Sequence, residues 1–198
     1  MLLWAGIVLI ALGVAAIGFD RRSSHWLYDR VNAGFWKFLD STTHMAKASH
    51  WLIAAVAALA LAQWAGLSAV KPYALAFLAS LLLGSATLHV IKLVLGRRRP
   101  RDDFEMGLYG FIPFAFDTDY NSFPSGHALT IFCVAAVACC AWPAWAALWF
   151  ALAAWLALTR ALLTAHYLSD VLVGAGIGLI SAHESVMHVF PQLAPAWF

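Results

Sequence analysis

The chain has 198 residues, 63% of them hydrophobic and 11% charged, against roughly 45–50% apolar in a soluble domain, which excludes a water-soluble globular protein and points to an integral membrane protein. A net charge of +2 carried by few basic residues excludes nucleic acid as a partner. The three cysteines, Cys133, Cys139 and Cys140, share one apolar run; this offers neither a disulfide framework nor the separated pairs of a zinc site, and they read as small core side chains.

Residues 2–19 are an apolar run long enough to span a bilayer. No basic region precedes them and no small-x-small cleavage site follows, so they read as a retained span and not a cleaved signal peptide. Residues 20–48 are mixed. Within them Leu27, Val31, Phe35 and Phe38 recur at helical spacing opposite Asp29, Arg30, Asn32 and Lys37, which predicts an amphipathic helix in the membrane interface, with a plain connector as the alternative. Residues 51–70 form a second span closed by Lys71-Pro72, and residues 73–95 a third, where Gly84, Ser85 and Ala86 suit close helix packing. Residues 96–123 are the one long loop, basic at first and then aromatic through Tyr109, Phe111, Phe114, Phe116 and Tyr120, fit to cover a site or dip among lipid tails. With the four residues that follow, they make a 96–127 active-site segment. Residues 128–142 and 144–158 are spans four and five, separated by a turn at Trp142-Pro143. Residues 167–189 are the sixth, containing Gly174, Gly176 and Gly178. The expected fold is a single all-α domain, a six-helix transmembrane bundle with an interfacial helix after the first span.

Six alternating spans put the connections after spans one, three and five on one membrane face. That parity gathers three polar clusters at one end of the bundle: Lys92 to Arg101, Pro124 to His127, and Arg160 to Asp170. Ionisable residues are expensive at membrane depth, so these clusters are functional-site candidates. In the third, His166 and Asp170 have i, i+4 spacing, which on a helix lets the carboxylate orient the imidazole, while Arg160 supplies a planar fork for phosphate. The competing reading is a snorkelling Arg160–Asp170 pair with His166 as an interfacial filler. In the first, Lys92 and Arg99-Pro100 can converge on one polyanion. Span-end cations also fix topology, and Arg97, Arg98 and Arg101 read as doing only that. In the second, Pro124 precedes a helix start where the N–H groups of Ser125 and Gly126 face an anion, with His127 beside it as a candidate general acid.

Taken together, K-x6-R-P, P-S-G-H and T-R-x5-H-x3-D resemble the three signature motifs of the type 2 phosphatidic acid phosphatase superfamily. The resemblance covers roughly residues 48–180 and rests on Lys92, Arg99, Pro100, Pro124, Ser125, Gly126, His127, Arg160, His166 and Asp170; Thr159 stands where the family usually has serine. It implies a phosphohydrolase without metal or other cofactor. His166 would be the nucleophile that forms a phosphohistidine, Asp170 its orienter and His127 the acid for the leaving group. Lys92, Arg99, Ser125, Gly126 and Arg160 would bind the phosphoryl oxygens. Asp117 and Asp119 find no third carboxylate for a metal and read as loop acids. His183 and His188 are five residues apart, off the register of a zincin helix.

An aromatic loop and a site at the interface favour a lipid leaving group: phosphatidate, phosphatidylglycerophosphate, a polyprenyl diphosphate or a lipid A phosphate. A transporter or relay using the ionisable cluster, and an inactive lipid-phosphate-binding relative, are the alternatives. The resemblance implies a bacterial inner membrane protein with its site facing the periplasm. Against this, Arg21, Arg22, Arg30, Lys37, Lys47, Arg97, Arg98 and Arg101 fall on the active-site face and only Lys71 on the other, which by the positive-inside rule argues for a cytoplasmic site.

Overall fold

The computed structural model describes residues 1–114 and 120–198, so Phe116, Asp117 and Asp119 lie outside the described residues. Helix α1 (Leu2–Ala16) runs through a short 3-10 turn into α2 (Asp20–Tyr28). Then come α3 (Ala33–Thr43), α4 (Ala48–Trp64), α5 (Lys71–Leu95), α6 (Pro100–Met106), α7 (Gly126–Ala141), α8 (Ala146–Leu162) and α9 (Leu168–Val189). Among the described residues, five helical stretches are long and apolar enough to cross a membrane, and α7 is a shorter apolar helix. The six expected spans are therefore present, as α1, α4, α5, α7, α8 and α9.

Three local departures have clear causes. The second span stops at Trp64 and not at residue 70, because Gly66 takes φ +69, a conformation glycine adopts without strain, and a 3-10 turn at Ser68–Val70 leads directly into α5. The expected single interfacial helix is two. Asn32 is extended and its side-chain oxygen accepts from Phe35 N–H at 2.9 Å, starting α3 afresh; asparagine is a preferred N-cap. Leu27 and Val31 thus share no helix with Phe35 and Phe38. The third departure is α6, inside the segment expected to be loop. Pro100 occupies its first turn, Asp102 accepts from the Arg99 N–H at 3.3 Å, and Gly107 in the left-handed region ends it. Asp103, its side chain fully buried, then receives Arg21 at 3.0 Å and His25 at 2.9 Å, which ties α6 to α2.

The centre of the bundle is α9, packed against α1, α5 and α7. Its three glycines are what let these backbones approach. A Cβ at Gly176 would lie 2.6 Å from the Gly6 carbonyl oxygen of α1, and one at Gly178 2.5 Å from the Leu129 carbonyl oxygen of α7. At Gly174 it would collide with the Ser125 carbonyl. Gly84 plays a similar part on α5, where a Cβ would meet Leu129 and Ser181 at 3.1 Å. Outward faces carry lipid-type side chains such as Trp4, Trp64 and Leu82. The three cysteines are buried and free.

Candidate active site

Five segments bring residues to one end of the bundle. Lys92 comes from the last turn of α5, Arg99 from the residue before α6, Gly126 and His127 from the first turn of α7, Arg160 from the last turn of α8, and His166 from the α8–α9 connection. These six line one cavity of about 340 Å³ together with Leu88, His89 and Asn121. Three cations around His127 and His166 form a cradle for a multiply charged anion. The N–H groups of the first turn of α7 point to its positive end, and Gly126 is their contribution to the cavity wall.

His166 is buried, 5% exposed. Its Nδ1 lies 2.9 Å from the Ser122 carbonyl oxygen. A carbonyl can only accept, so Nδ1 carries the proton and Nε2 is left with its lone pair. Burial, the largest influence, holds its pKa below the ordinary value even though Asp170 pulls the other way; Arg160 and Arg99 add to the lowering. A neutral imidazole with a free Nε2 is the form a nucleophile needs.

Two expectations need correction here. His166 does not share a helix with Asp170, because α9 begins at Leu168 with Tyr167 as its N-cap. Asp170 Oδ2 is 3.6 Å from His166 Nδ1, too far for a hydrogen bond. The carboxylate therefore acts on the imidazole by charge, and the Ser122 carbonyl fixes the tautomer. Likewise Ser125 does not offer its backbone N–H to an anion, since that group donates to the Asp170 carbonyl at 2.9 Å. Ser125 and Asp170 are fully buried behind the cavity and do not line it.

Arg97, read from the sequence as a topology determinant, is the largest fully buried side chain among the described residues. Its Nη1 donates to Asp170 Oδ1 at 2.6 Å and to Ser169 Oγ at 2.7 Å, and its Nη2 to Asp20 Oδ2 at 2.8 Å. Asp170 Oδ2 also receives Ser122 Oγ at 2.6 Å and Tyr167 N–H at 2.8 Å. The loop backbone holds Arg97 there: its N–H donates to the Tyr120 carbonyl at 2.7 Å and its carbonyl accepts from Ser122 N–H at 3.0 Å. Lys92 Nζ donates to the Asn121 carbonyl. Asp20, Arg97, Ser122 and Asn121 were not singled out as site residues in the sequence, and only His89, three residues before Lys92 and so on the same helix face, carried a local signal.

The fold and site define an integral membrane protein, a helical bundle with a cationic, histidine-bearing cavity at the ends of its helices. The chain belongs to the PAP2 superfamily, whose profile matches residues 73–193. It is 36% identical over 90 residues to the lipid A 1-phosphatase of Rhizobium johnstonii, covering 46% of this chain and 37% of that protein. It is likewise 36% identical over 90 residues to the lipid A 1-phosphatase of Rhizobium etli, covering 46% of this chain and 39% of that one. The chain thus spans under two fifths of the length of the curated relatives it matches. Two crystal structures share the fold. Aquifex aeolicus LpxE has a TM-score of 0.64 and 18% identity over 86% of this chain and 96% of its own. The first transmembrane PAP2 type phosphatidylglycerolphosphate phosphatase from Bacillus subtilis has a TM-score of 0.67 and 17% identity over 100% and 98%.

Proposed function

We propose that the chain is a membrane phosphatase that dephosphorylates a lipid phosphate through a phosphohistidine on His166. The observation that carries this is the single cavity in which Lys92, Arg99 and Arg160 surround His127 and a buried, neutral His166. His166 Nε2 attacks phosphorus while the bond to the leaving oxygen breaks, and His127 protonates that oxygen. Water then attacks the phosphorus, with His127 as base, and the electron pair returns to Nε2. Lys92, Arg99, Arg160 and the Gly126 N–H stabilise the charge that builds on the phosphoryl oxygens. Asp170 contributes its charge and Ser125 the packing of the α7 start on α9, in place of the direct roles expected from sequence. No step calls for a metal.

Within the class of lipid phosphates we favour a phosphorylated glycolipid of the lipid A type, supported by the two Rhizobium relatives. A second cavity, of about 320 Å³, shares Arg99 with the first and is lined by Tyr28, Trp36 and Phe104 with Arg101 and Glu105, room and chemistry suited to a sugar headgroup. We take the setting of such substrates to be a bacterial inner membrane, with the site on the periplasmic side. Phosphate release by the purified chain in detergent, with excess EDTA, tests the reading across lipid A 1-phosphate, phosphatidate, phosphatidylglycerophosphate and a polyprenyl diphosphate. Release from lipid A phosphate above the others is expected. Release that requires an added divalent ion, or no release from any of the four, contradicts it.

A further inference from the structure

We propose that Asp20 and Arg97, neither of which lines the cavity, are positioning residues that set the charge behind His166 so that the imidazolium formed on phosphoryl transfer is stabilised. The inference rests on the phosphatase reading above. Asp20 lies where α1 passes into α2 and is 1% exposed. Besides Arg97 it receives the Ser169 N–H at 3.1 Å and the Ser169 hydroxyl. Every hydrogen bond to Asp20 and to Asp170 is donated to them, which suits two ionised carboxylates. The Arg97 guanidinium carbon sits 4.2 Å from the Tyr167 ring centre and 4.7 Å from that of Phe111, so the three charges meet in a dry, aromatic setting where each counts for more than in water.

The charge count is the argument. A buried Arg97–Asp170 pair alone would be neutral; Asp20 makes the group two negative charges against one positive. Such a group is no stability device by default, since apolar replacements of buried ion pairs are often neutral or stabilising. It matches a demand of the reaction instead. As Nε2 bonds to phosphorus, Nδ1 keeps its proton and the ring becomes positive, while the ester electron pair leaves on the oxygen that His127 protonates. The Arg97 fork has one arm on Asp170 and one on Asp20. Asp20 thereby keeps Arg97 from neutralising the carboxylate that faces His166. The other charged or titratable groups around His166 are Arg160 of α8, Arg99 before α6, Lys92 and His89 of α5 and His127 of α7. Beyond Tyr167 lies Asp103 of α6, engaged by Arg21 and His25 of α2. The cavity side is cationic, and Asp20 with Asp170 is its counterweight.

Asp20→Asn keeps the shape and removes one negative charge. The expected result is a fall in kcat of about tenfold with KM unchanged, and an acid limb of kcat/KM moved to lower pH, since protonated His166 loses support. Asp20→Asn combined with Arg97→Gln restores the single negative charge and is expected to move that limb back toward wild type. Wild-type kcat and limb in Asp20→Asn, or equal shifts in the single and double variants, overturn the proposal. If Asp20→Asn does not fold, the double variant decides: a folded protein with a wild-type limb supports the proposal, and an inactive or unfolded one assigns Asp20 to folding and overturns it. Inactivity of the wild type on every lipid phosphate defeats the phosphatase reading, a different outcome.

Discussion

His166 is held from two sides, by a carbonyl that accepts a hydrogen bond from its Nδ1–H and by a carboxylate beyond hydrogen-bond reach. Burial lowers its pKa from the ordinary value of about 6.5. A nucleophile must be unprotonated, so lowering the pKa extends activity to more acidic solution. The acid limb of kcat/KM, corrected for the substrate's own ionisation, is expected below pH about 6.5; a limb above that value contradicts the assignment. Six of the residues that line the cavity are legible because their types and spacings carry the chemistry locally: Lys92 with Arg99, Gly126 with His127, Arg160 with His166; Leu88, His89 and Asn121, which complete the wall, are not. The support behind them was not legible. Asp20 and Ser169 are 149 positions apart and Arg97 and Asp170 are 73 apart, and no periodicity of either segment announces such a meeting. From the sequence Arg97 reads as a topology determinant because a cluster of arginines at a span end has the same appearance whether its members face headgroups or a buried carboxylate.

At the scale of elements, the site depends on how closely α7 and α9 approach. Gly174 faces Ser125 and Gly178 faces Leu129, one turn apart on the same side of α9, while Gly176 faces α1. Gly174→Val would force the start of α7, with Gly126 and His127, away from His166. Overpacking of this kind costs about 1–3 kcal/mol, and activity is expected to fall far more than the melting temperature does. The comparison of thermal unfolding with turnover in detergent checks this, and full activity in Gly174→Val shows that the approach is not needed. Spans were readable from hydropathy alone because apolar length is a property of the run itself. The break between α2 and α3, and the helix α6, were hidden because each depends on a cap: Asn32 on one side, and Asp102, Pro100 and Gly107 on the other. A cap ends or starts a helix with a single hydrogen bond that leaves the surrounding apolar spacing unchanged.

For the whole molecule, the even alternation of spans predicted that the three motifs share one end, and the common cavity is where they meet. The same alternation leaves open which membrane face that end occupies. Several cations that weigh toward the cytoplasm are engaged within the protein: Arg97 is buried between carboxylates, Arg21 pairs with Asp103, and Arg98 donates to the Tyr120 hydroxyl at 2.6 Å. Charges retained for such contacts are weak guides to insertion, which supports the proposed periplasmic site. A cysteine at exposed Glu105, in a background with Cys133, Cys139 and Cys140 replaced, is expected to react with a membrane-impermeant thiol reagent once the outer membrane alone is permeabilised. Reaction only after the inner membrane is broken contradicts that orientation. The central claim, that His166 itself accepts the phosphoryl group, is tested most directly by trapping. Brief exposure of the purified protein to a radiolabelled lipid phosphate in EDTA is expected to give an acid-labile, alkali-stable phosphoprotein, present in wild type and absent in His166→Ala. Label that persists in His166→Ala, or that is acid-stable, contradicts the account.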